Sequence, residues 1–242
     1  MSEASRSDRQ VLDTSSQIKR AARGLLVEHG VEGVTLRAIA RKLGLTAPAL
    51  YRYYRSHSQL LEQLRGEISV ELAEELSEDV ARLPDDGIGQ FFAVCRGFRR
   101  WALAHPHEFT LVFASVSTEP ASAPLTGANE PFGRVFITSM ARVLVSHELA
   151  GLPDDLVPAA LRNDVAAFRQ TVLDTLARQG VRFDPHRLPL EVAFLMVQYW
   201  IRIYGHVTLE VFGNFPMTVS QPDVLFDAML AELARELGLG AL

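Results

Sequence analysis

The stretch TLRAIARKLGLTAPALYRYY, residues 35–54, contains two short helical patterns separated by a glycine. Apolar side chains recur at helical spacing through the first pattern, at Leu36, Ile39, Ala40 and Leu43. Gly44 follows, and a left-handed conformation that ends a helix costs glycine least. The pattern therefore predicts a helix, a tight turn and a second helix.

The second helix is expected to begin at Thr46 as its N-cap and to run to about Tyr54, with Leu50 and Tyr54 facing inward. Pro48 falls in its first turn, where the missing N–H removes no helical hydrogen bond. The side chains expected to point outward are small, hydroxyl-bearing, aromatic or cationic: Thr46, Ala47, Tyr51, Arg52 and Tyr53. A short helix with such a face fits a DNA major groove, so the interpretation is a helix-turn-helix. For Tyr51 the alternative is a half-buried ring packed beneath the first helix.

Composition excludes several classes of protein. Of the 242 residues, 48% are hydrophobic, which is typical of a globular chain. No apolar run approaches the roughly 18 residues of a membrane span, and the N-terminal MSEASRSDRQ lacks the apolar region of a secretory signal. Cys95 stands alone, so an intrachain disulfide is excluded and a cytoplasmic location is expected.

Charge is distributed unevenly along the chain. Residues 1–65 carry eleven Lys and Arg against six Asp and Glu, a net of +5, within a total of −5. Residues 66–242 carry thirteen against twenty-three, a net of −10. This asymmetry predicts a basic, DNA-facing head on an acidic body, unless it reflects only which helices face solvent.

Three segments are predicted. Residues 1–14 are expected to form a flexible arm, in which Arg6 and Arg9 either reach a minor groove or belong to a solvated tail. Residues 15–65 are expected to be the DNA-binding domain, beginning with a helix capped by Ser15 or Ser16 and ended by Gly30. Residues 66–242 are expected to form a ligand-binding and dimerisation domain, which makes the whole chain all-α.

Helical patterns account for most of the remaining chain. The expected helices span 58–83, 88–104, a segment starting at Pro106, 132–148, 155–180, 189–212 and 223–237. Residues 115–131 are small, polar and proline-rich, which predicts a loop. This loop is interpreted as a plain insertion, with a lid over a site as the alternative.

The sequence GVEGVTLRAIARKLGLTAPALYRYYRSHSQLL resembles the DNA-binding domain of the TetR/AcrR family of transcriptional regulators. The family pattern is matched at Thr35, Ile39, Ala40, Gly44, Thr46, Leu50, Tyr51, Tyr53, Leu60 and Leu61. The chain departs from it at Tyr54, where Phe is usual, and at His57, where a phosphate-contacting Lys is common. The phrases FRRWALAHPHEFTLVF and YWIRIYGHVTLEVFG also resemble a C-terminal subgroup of this family.

The resemblance implies which residues contact DNA. They are Thr35, Arg37, Thr46, Ala47, Pro48, Tyr51, Arg52, Tyr53 and His57. Phosphate contacts are expected from Thr46, Tyr51, Tyr53 and His57, and base contacts from Ala47, Pro48 and Arg52. Histidine in place of lysine predicts a weaker, pH-dependent grip on the backbone.

A ligand pocket is expected among the helices of the body. Its candidate lining residues are Phe92, Cys95, Phe98, Trp101, Phe109, Phe113, Phe168, Met196, Tyr199 and Trp200, with Asp164, Arg202 and His206 as polar anchors. For each, a plain core role is the alternative. The ligand is expected to be apolar to amphipathic, fairly large and aromatic.

Dimerisation is predicted through the two long helices within 155–212, because their apolar faces are wider than one side of a bundle requires. The residues that form these faces are Ala160, Val165, Phe168, Val172, Leu176, Val192, Leu195, Met196, Tyr199, Trp200, Ile203 and Val207. The resemblance implies the same two helices.

Motifs of enzymes and metal sites are absent from the sequence. It contains no phosphate-binding loop, no G-x-S-x-G and no H-E-x-x-H, and His105-x-His107 has no ligand cluster at metal spacing. We therefore expect no cofactor, no metal and no catalytic residue. The predicted function is a homodimeric repressor that binds a pseudo-palindromic operator and is released by a small molecule. The alternatives are a ligand-binding protein or enzyme with a vestigial head, and an adaptor that binds another protein.

Overall fold

The computed structural model describes residues 3–84, 86–114, 130–147, 152–153 and 155–238. The regular secondary structure in these residues is entirely helical, which confirms the all-α prediction. The α-helices are α1 (Glu3–Gly33), α2 (Leu36–Leu43), α3 (Ala47–Leu50), α4 (His57–Ala81), α5 (Gly87–Ala104), α6 (Pro106–Phe109), α7 (Pro131–Ser146), α8 (Arg162–Arg178), α9 (Leu190–Val211) and α10 (Pro222–Glu236). The predicted loop lies, except for its last two residues, outside the described residues.

The chain divides into two compact units. The first combines residues 1–71 with 104–123, and the second combines 72–103 with 124–242. Helix α4 contributes residues to both units. No helix in the described ranges is long and apolar enough to span a bilayer.

Helix α1 begins at Glu3, earlier than the predicted start at Ser15 or Ser16. The segment between Glu3 and Gln17 contains neither proline nor glycine, and a helix that starts early meets no residue that would break it. Gly30 interrupts α1 as predicted, with φ 70° and ψ −174°. Its missing side chain matters there, because a Cβ atom would lie 3.2 Å from Nδ1 of His107.

Helices α2 and α3 form the predicted helix-turn-helix. The Oγ1 atom of Thr35 accepts a hydrogen bond of 3.1 Å from the N–H of Ala38, so Thr35 caps α2. Gly44 adopts the left-handed conformation, with φ 66° and ψ 25°. The next N–H, of Leu45, donates 2.9 Å to the carbonyl of Ala40 and closes the end of the helix.

Helix α3 is shorter than predicted, since regular helix ends at Leu50 rather than near Tyr54. The chain continues through tighter turns, in which Tyr53 N–H donates 2.9 Å to the carbonyl of Leu50. Thr46 occupies the N-cap position, but its side chain makes no capping hydrogen bond. Leu50 and Tyr54 are buried as predicted.

The second unit contains α5 and the long helices α7 to α10. The predicted helix 155–180 starts only at Ala159, as a single 3₁₀ turn that leads into α8. Pro158 explains the late start, because the residue before a proline avoids the helical region and proline fits best at a helix start. The other helices of this unit lie within two residues of their predicted ends.

Most of the wide apolar faces of α8 and α9 are buried in the core of a single chain. The width of these faces is therefore not evidence for burial against a second subunit, contrary to the interpretation of the sequence. The residues buried there are Val165, Val172, Leu176, Val192, Met196, Tyr199, Ile203 and Val207. The exposed apolar positions on these two helices are instead small or isolated, such as Ala166, Ala177 and Ile201. Helix α9 therefore packs on both sides within the second unit, and the width of its apolar face does not by itself require a second subunit.

Candidate functional site

The outward face of the helix-turn-helix carries most of the predicted contact residues. Exposed side chains occur at Thr35, Arg37, Thr46, Pro48, Tyr51 and Arg52, and half-buried ones at Ala47, Tyr53 and His57. Tyr51 is 56% exposed, so its ring is not packed beneath the first helix. The Thr35 oxygen accepts the capping bond, which leaves its hydroxyl hydrogen free to donate.

The charge of this face is strongly positive. Residues 33–61 include five Lys and Arg and no Asp or Glu. One of these five cations, Lys42, pairs with Glu28, and elsewhere in the first unit Lys19, Arg23 and Arg65 pair with Glu67, Glu71 and Glu62. In the described residues, the guanidinium groups of the exposed Arg37, Arg41, Arg52 and Arg55 take part in no ion pair or hydrogen bond. The unpaired positive charge is therefore concentrated on the helix-turn-helix.

Arg41 and Arg55 were not among the predicted contacts. Arg41 lies within α2 and Arg55 directly after Tyr54, and both are exposed. The signal that could have found them is the run without acidic residues, which is visible in the sequence. Their long, mobile side chains can neutralise phosphates next to the groove-facing helix.

Tyr54 departs from the family pattern for a reason visible in the structure. Its ring is 1% exposed, and its hydroxyl forms a 3.2 Å hydrogen bond with Oγ of Ser15 on α1. Ser15, predicted as a helix cap, thus serves as the partner of a buried hydroxyl. This hydrogen bond connects α1 to the residues that follow α3.

His57 also departs from the family pattern. It is the first residue of α4, and its Nε2–H donates a hydrogen bond to the carbonyl of Val34. Ser56 caps the same helix, since its hydroxyl accepts 3.1 Å from the N–H of Gln59. The Nε2 atom of His57 is therefore engaged within the chain, and the ring connects the start of α4 to the α1–α2 connection.

Helix α6 and the turn that follows it lie in the first unit and are held there by polar contacts with α1 and α4. Arg23 on α1 donates from Nε to Glu108 at 2.7 Å and from Nη1 to Glu71 at 2.5 Å. Arg65 on α4 donates 3.1 Å to the carbonyl of Leu111. Because Phe109 and Phe113 pack against each other in this unit, they do not line a pocket among the helices of the second unit, as had been predicted.

A cavity of about 250 Å³ lies between α7, α8 and α9 of the second unit. It is lined by Phe132, Gly133, Phe136, Ile137, Phe168, Met196, Val197 and Trp200. Of the predicted lining residues, Phe168, Met196 and Trp200 are present. The Trp200 ring lies 5.4 Å from that of Phe132 and 5.6 Å from that of Phe136, measured between centroids.

The other predicted lining residues are core. Phe98 packs behind the cavity, with its centroid 4.9 Å from that of Phe132. Phe92 and Tyr199 line a separate gap of about 10 Å³, which is no larger than one water. Trp101 and Cys95 are buried in α5, and burial raises the pKa of the Cys95 thiol, as expected for a core cysteine rather than a reactive one. The cavity residues on α7 were missed, because nothing in its apolar pattern distinguishes cavity from core.

The predicted polar anchors do not line the cavity. Asp164 is exposed, and Arg202 pairs with Glu236 at 2.6 Å. His206 lies between the rings of Phe215 and Phe226, and burial lowers its pKa. Its Nε2 atom is buried without a hydrogen-bond partner in the described residues.

A bidentate ion pair lies next to His206. Arg99 donates from Nε and Nη2 to the Glu210 carboxylate at 2.7 and 2.5 Å and from Nη1 to Asp223 at 2.6 Å. Hydrogen bonds to Glu210 and Asp223 outweigh burial and raise the pKa of Arg99. This network ties α5, α9 and α10 together, so these groups are structural.

Comparisons with known proteins agree with this architecture. Residues 18–64 match the model of bacterial regulatory proteins of the tetR family, and residues 91–233 match the tetracyclin repressor-like C-terminal domain. The HTH-type transcriptional regulator Rv1816 of Mycobacterium tuberculosis is 28% identical over 229 residues, which cover 88% of this chain and 87% of that protein.

Two further matches differ in extent. The tetracycline repressor protein class A from transposon 1721 of Escherichia coli is 40% identical over 86 residues, 36% of this chain and 38% of that protein. The crystal structure of the regulatory protein SCO4313 is 22% identical and superposes with a TM-score of 0.63 over 93% of this chain and 97% of that one. The second likeness concerns the fold alone. Since the C-terminal model by itself covers more than half of the chain, the protein belongs to the TetR family of DNA-binding transcriptional regulators.

Proposed function

We propose that this regulator is a homodimeric repressor that binds a pseudo-palindromic operator and leaves it when a small molecule occupies the second unit. The observation that carries the proposal is the exposed, acid-free helix-turn-helix, on which the unpaired arginines of the first unit are concentrated. A protein that binds chromosomal DNA in this way acts in the cytoplasm. Residues 15–65 serve as the DNA-binding domain, and residues 66–242 provide ligand binding and dimerisation.

The contacts with DNA divide by chemistry. Arg52, Ala47 and Pro48 face the bases, since they lie on or directly after α3. Thr46, Tyr51 and Tyr53 contact phosphates through hydroxyl groups, and Thr35 and Arg37 act at the start of α2. Arg41 on α2 and Arg55 after α3 add further phosphate contacts. His57 positions α4 rather than gripping the backbone, because its N–H is used by Val34.

Two heads are needed for a tight site, because one short recognition helix covers too few base pairs. In such a dimer the recognition helices lie about 34–36 Å apart, one turn of DNA. The surface we assign to the second subunit is the exposed side of α8 and α9, where Ala166 and Ala177 permit close approach and Ile201 is 54% exposed. The family resemblance supports the same two helices.

Dimerisation can be tested by Ile201→Glu, with Val145→Glu as the matched control. Ile201 and Val145 are both exposed, but Val145 lies on α7, outside the surface assigned to the second subunit. Light scattering after size exclusion should show a monomer for Ile201→Glu and a dimer for Val145→Glu. If Ile201→Glu remains a dimer, this surface is not the interface.

DNA binding can be tested by selecting operators from random duplexes and measuring affinity by fluorescence anisotropy at several salt concentrations. The double variant Tyr51→Ala, Arg52→Ala should abolish sequence-selective binding and leave the dimer intact. Arg52→Ala alone should lose about 1–3 kcal/mol of affinity per half-site, as expected for one base contact in each head. The matched control is Arg82→Ala, an exposed arginine directly after α4 that pairs with Glu78 at 3.2 Å, and it should bind as the wild type does. Failure to select any sequence would refute the proposal.

A further inference from the structure

The cavity between α7, α8 and α9 has a lining of unusually uniform chemistry. Its walls are phenylalanine, isoleucine, valine, methionine and glycine, together with Trp200. Among the described lining side chains, the only polar group is the indole N–H of Trp200, and no carboxylate, amine or hydroxyl faces the space. A charged group placed against these walls would lose its hydration without finding a counter-ion.

The volume limits the size of the occupant. An engineered apolar cavity of about 150 Å³ binds benzene, and pockets for drug-sized molecules begin at about 300 Å³. The present cavity, at about 250 Å³, lies between these values. It accommodates one or two rings, or one ring with a short alkyl chain.

The walls also favour a flat or ring-bearing occupant. Trp200 contacts Phe132 and Phe136 at centroid distances of 5.4 and 5.6 Å and stacks on Tyr204 at 5.6 Å. Rings at such spacings offer both faces and edges to an aromatic guest. Phe168 on α8 and Met196, one turn before Trp200 on α9, complete the lining, and the flexible thioether can adapt to the shape of the guest.

We propose that the effector is an uncharged, hydrogen-bond-poor molecule of one or two rings, bound in this cavity; the role of effector rests on the function proposed above. A carboxylate, an ammonium ion or a large polyoxygenated molecule is excluded by the same walls. This narrows the sequence-based expectation of a large, amphipathic ligand, because the predicted polar anchors Asp164, Arg202 and His206 do not line the space.

The test uses two probes of nearly equal shape, propylbenzene and 2-phenylethylammonium, in which an ammonium replaces the terminal methyl group. Binding is followed by calorimetry and by Trp200 emission in a Trp101→Phe background, since the chain has two tryptophans. We expect a dissociation constant of about 10–100 µM for propylbenzene. The ammonium probe should bind at least about 100-fold more weakly.

A filling variant locates the binding site. Val197→Phe places a ring in the cavity and should weaken propylbenzene binding at least about 10-fold. Val224→Phe, on the exposed side of α10, is the matched control and should bind as the wild type does. Equal binding of the two probes, no binding of propylbenzene, or no effect of Val197→Phe would overturn the proposal. The comparison of propylbenzene with 2-phenylethylammonium by calorimetry uses the wild type, so the proposal can still be refuted if Val197→Phe fails to fold.

Operator release separates this proposal from the function on which it rests. Propylbenzene should lower the affinity of the wild type for its selected operator, and of Val197→Phe much less. If propylbenzene binds in the cavity without releasing DNA, the assignment of the effector is overturned while operator binding stands. If no operator can be selected, the proposed function fails, and the cavity measurement still stands by itself.

Discussion

Replacing Arg23 with methionine removes the cation that faces Glu108 and keeps an apolar stem of similar length. The Glu108 side chain is 3% exposed and that of Arg23 36% exposed, with Nε 2.7 Å from the carboxylate. Burial opposes the charge of Arg23, but its hydrogen bonds to Glu71 and Glu108 outweigh burial and raise its pKa. The substitution therefore leaves a buried carboxylate without its partner.

The magnitude follows from burial. Removing one partner of a fully buried pair costs about 3–5 kcal/mol. Because about a third of Arg23 remains in solvent, which screens the pair, we expect the free energy of unfolding to fall by about 2–3 kcal/mol. Glu108→Gln should cost only about 1 kcal/mol, because it removes the buried charge itself and the amide oxygen still accepts from Arg23.

Urea unfolding measures the global cost, and hydrogen exchange of residues 104–114 reports whether α6 is released. The double variant Arg23→Met, Glu108→Gln should be more stable than Arg23→Met alone, since no charge is left unpaired. Arg82→Met is the matched control, because its partners are at the surface, and it should change stability by less than about 0.5 kcal/mol. Equal costs for Arg23→Met and Glu108→Gln would refute the reasoning from the buried carboxylate.

Four further outcomes are expected. Tyr54→Phe should cost about 1 kcal/mol of stability in urea unfolding, and its effect should vanish in a Ser15→Ala background; additive costs would contradict the hydrogen bond between them. His206→Phe should reduce the loss of stability that the wild type shows below about pH 6.5. Burial lowers the pKa of His206 in the folded chain, so the unfolded chain takes up this proton first as the pH falls, which favours unfolding. An unchanged profile of urea midpoint against pH would count against this. Gly44→Ala should destabilise the head by about 1 kcal/mol in thermal melts, as its φ is positive, and an unchanged midpoint would argue against the left-handed turn. Arg41→Ala should reduce the slope of log affinity against log salt by about 2 for the dimer, one contact in each head, without altering base preference, whereas altered preference would make it a base contact.

Local signals in the sequence predicted the helix-turn-helix and most helix positions. Thr35, Gly44 and Pro106 act on their own neighbours, through a capping hydroxyl, a left-handed turn and a fixed φ angle, and the structure confirms all three. Such effects depend on a few adjacent residues, so they can be read without knowing what packs nearby. The acid-free run of residues 33–61 is equally local and already indicates where DNA binds.

Only tertiary structure decided which of many similar residues form the cavity. Phe98 and Phe132 are both buried aromatics on apolar helices, yet Phe132 lines the space and Phe98 lies behind it. The role of His57 likewise depends on a carbonyl at Val34, far away in sequence. Helical periodicity says that a side chain is turned inward, but distances between helices determine whether it meets a neighbour, a cavity or a buried charge.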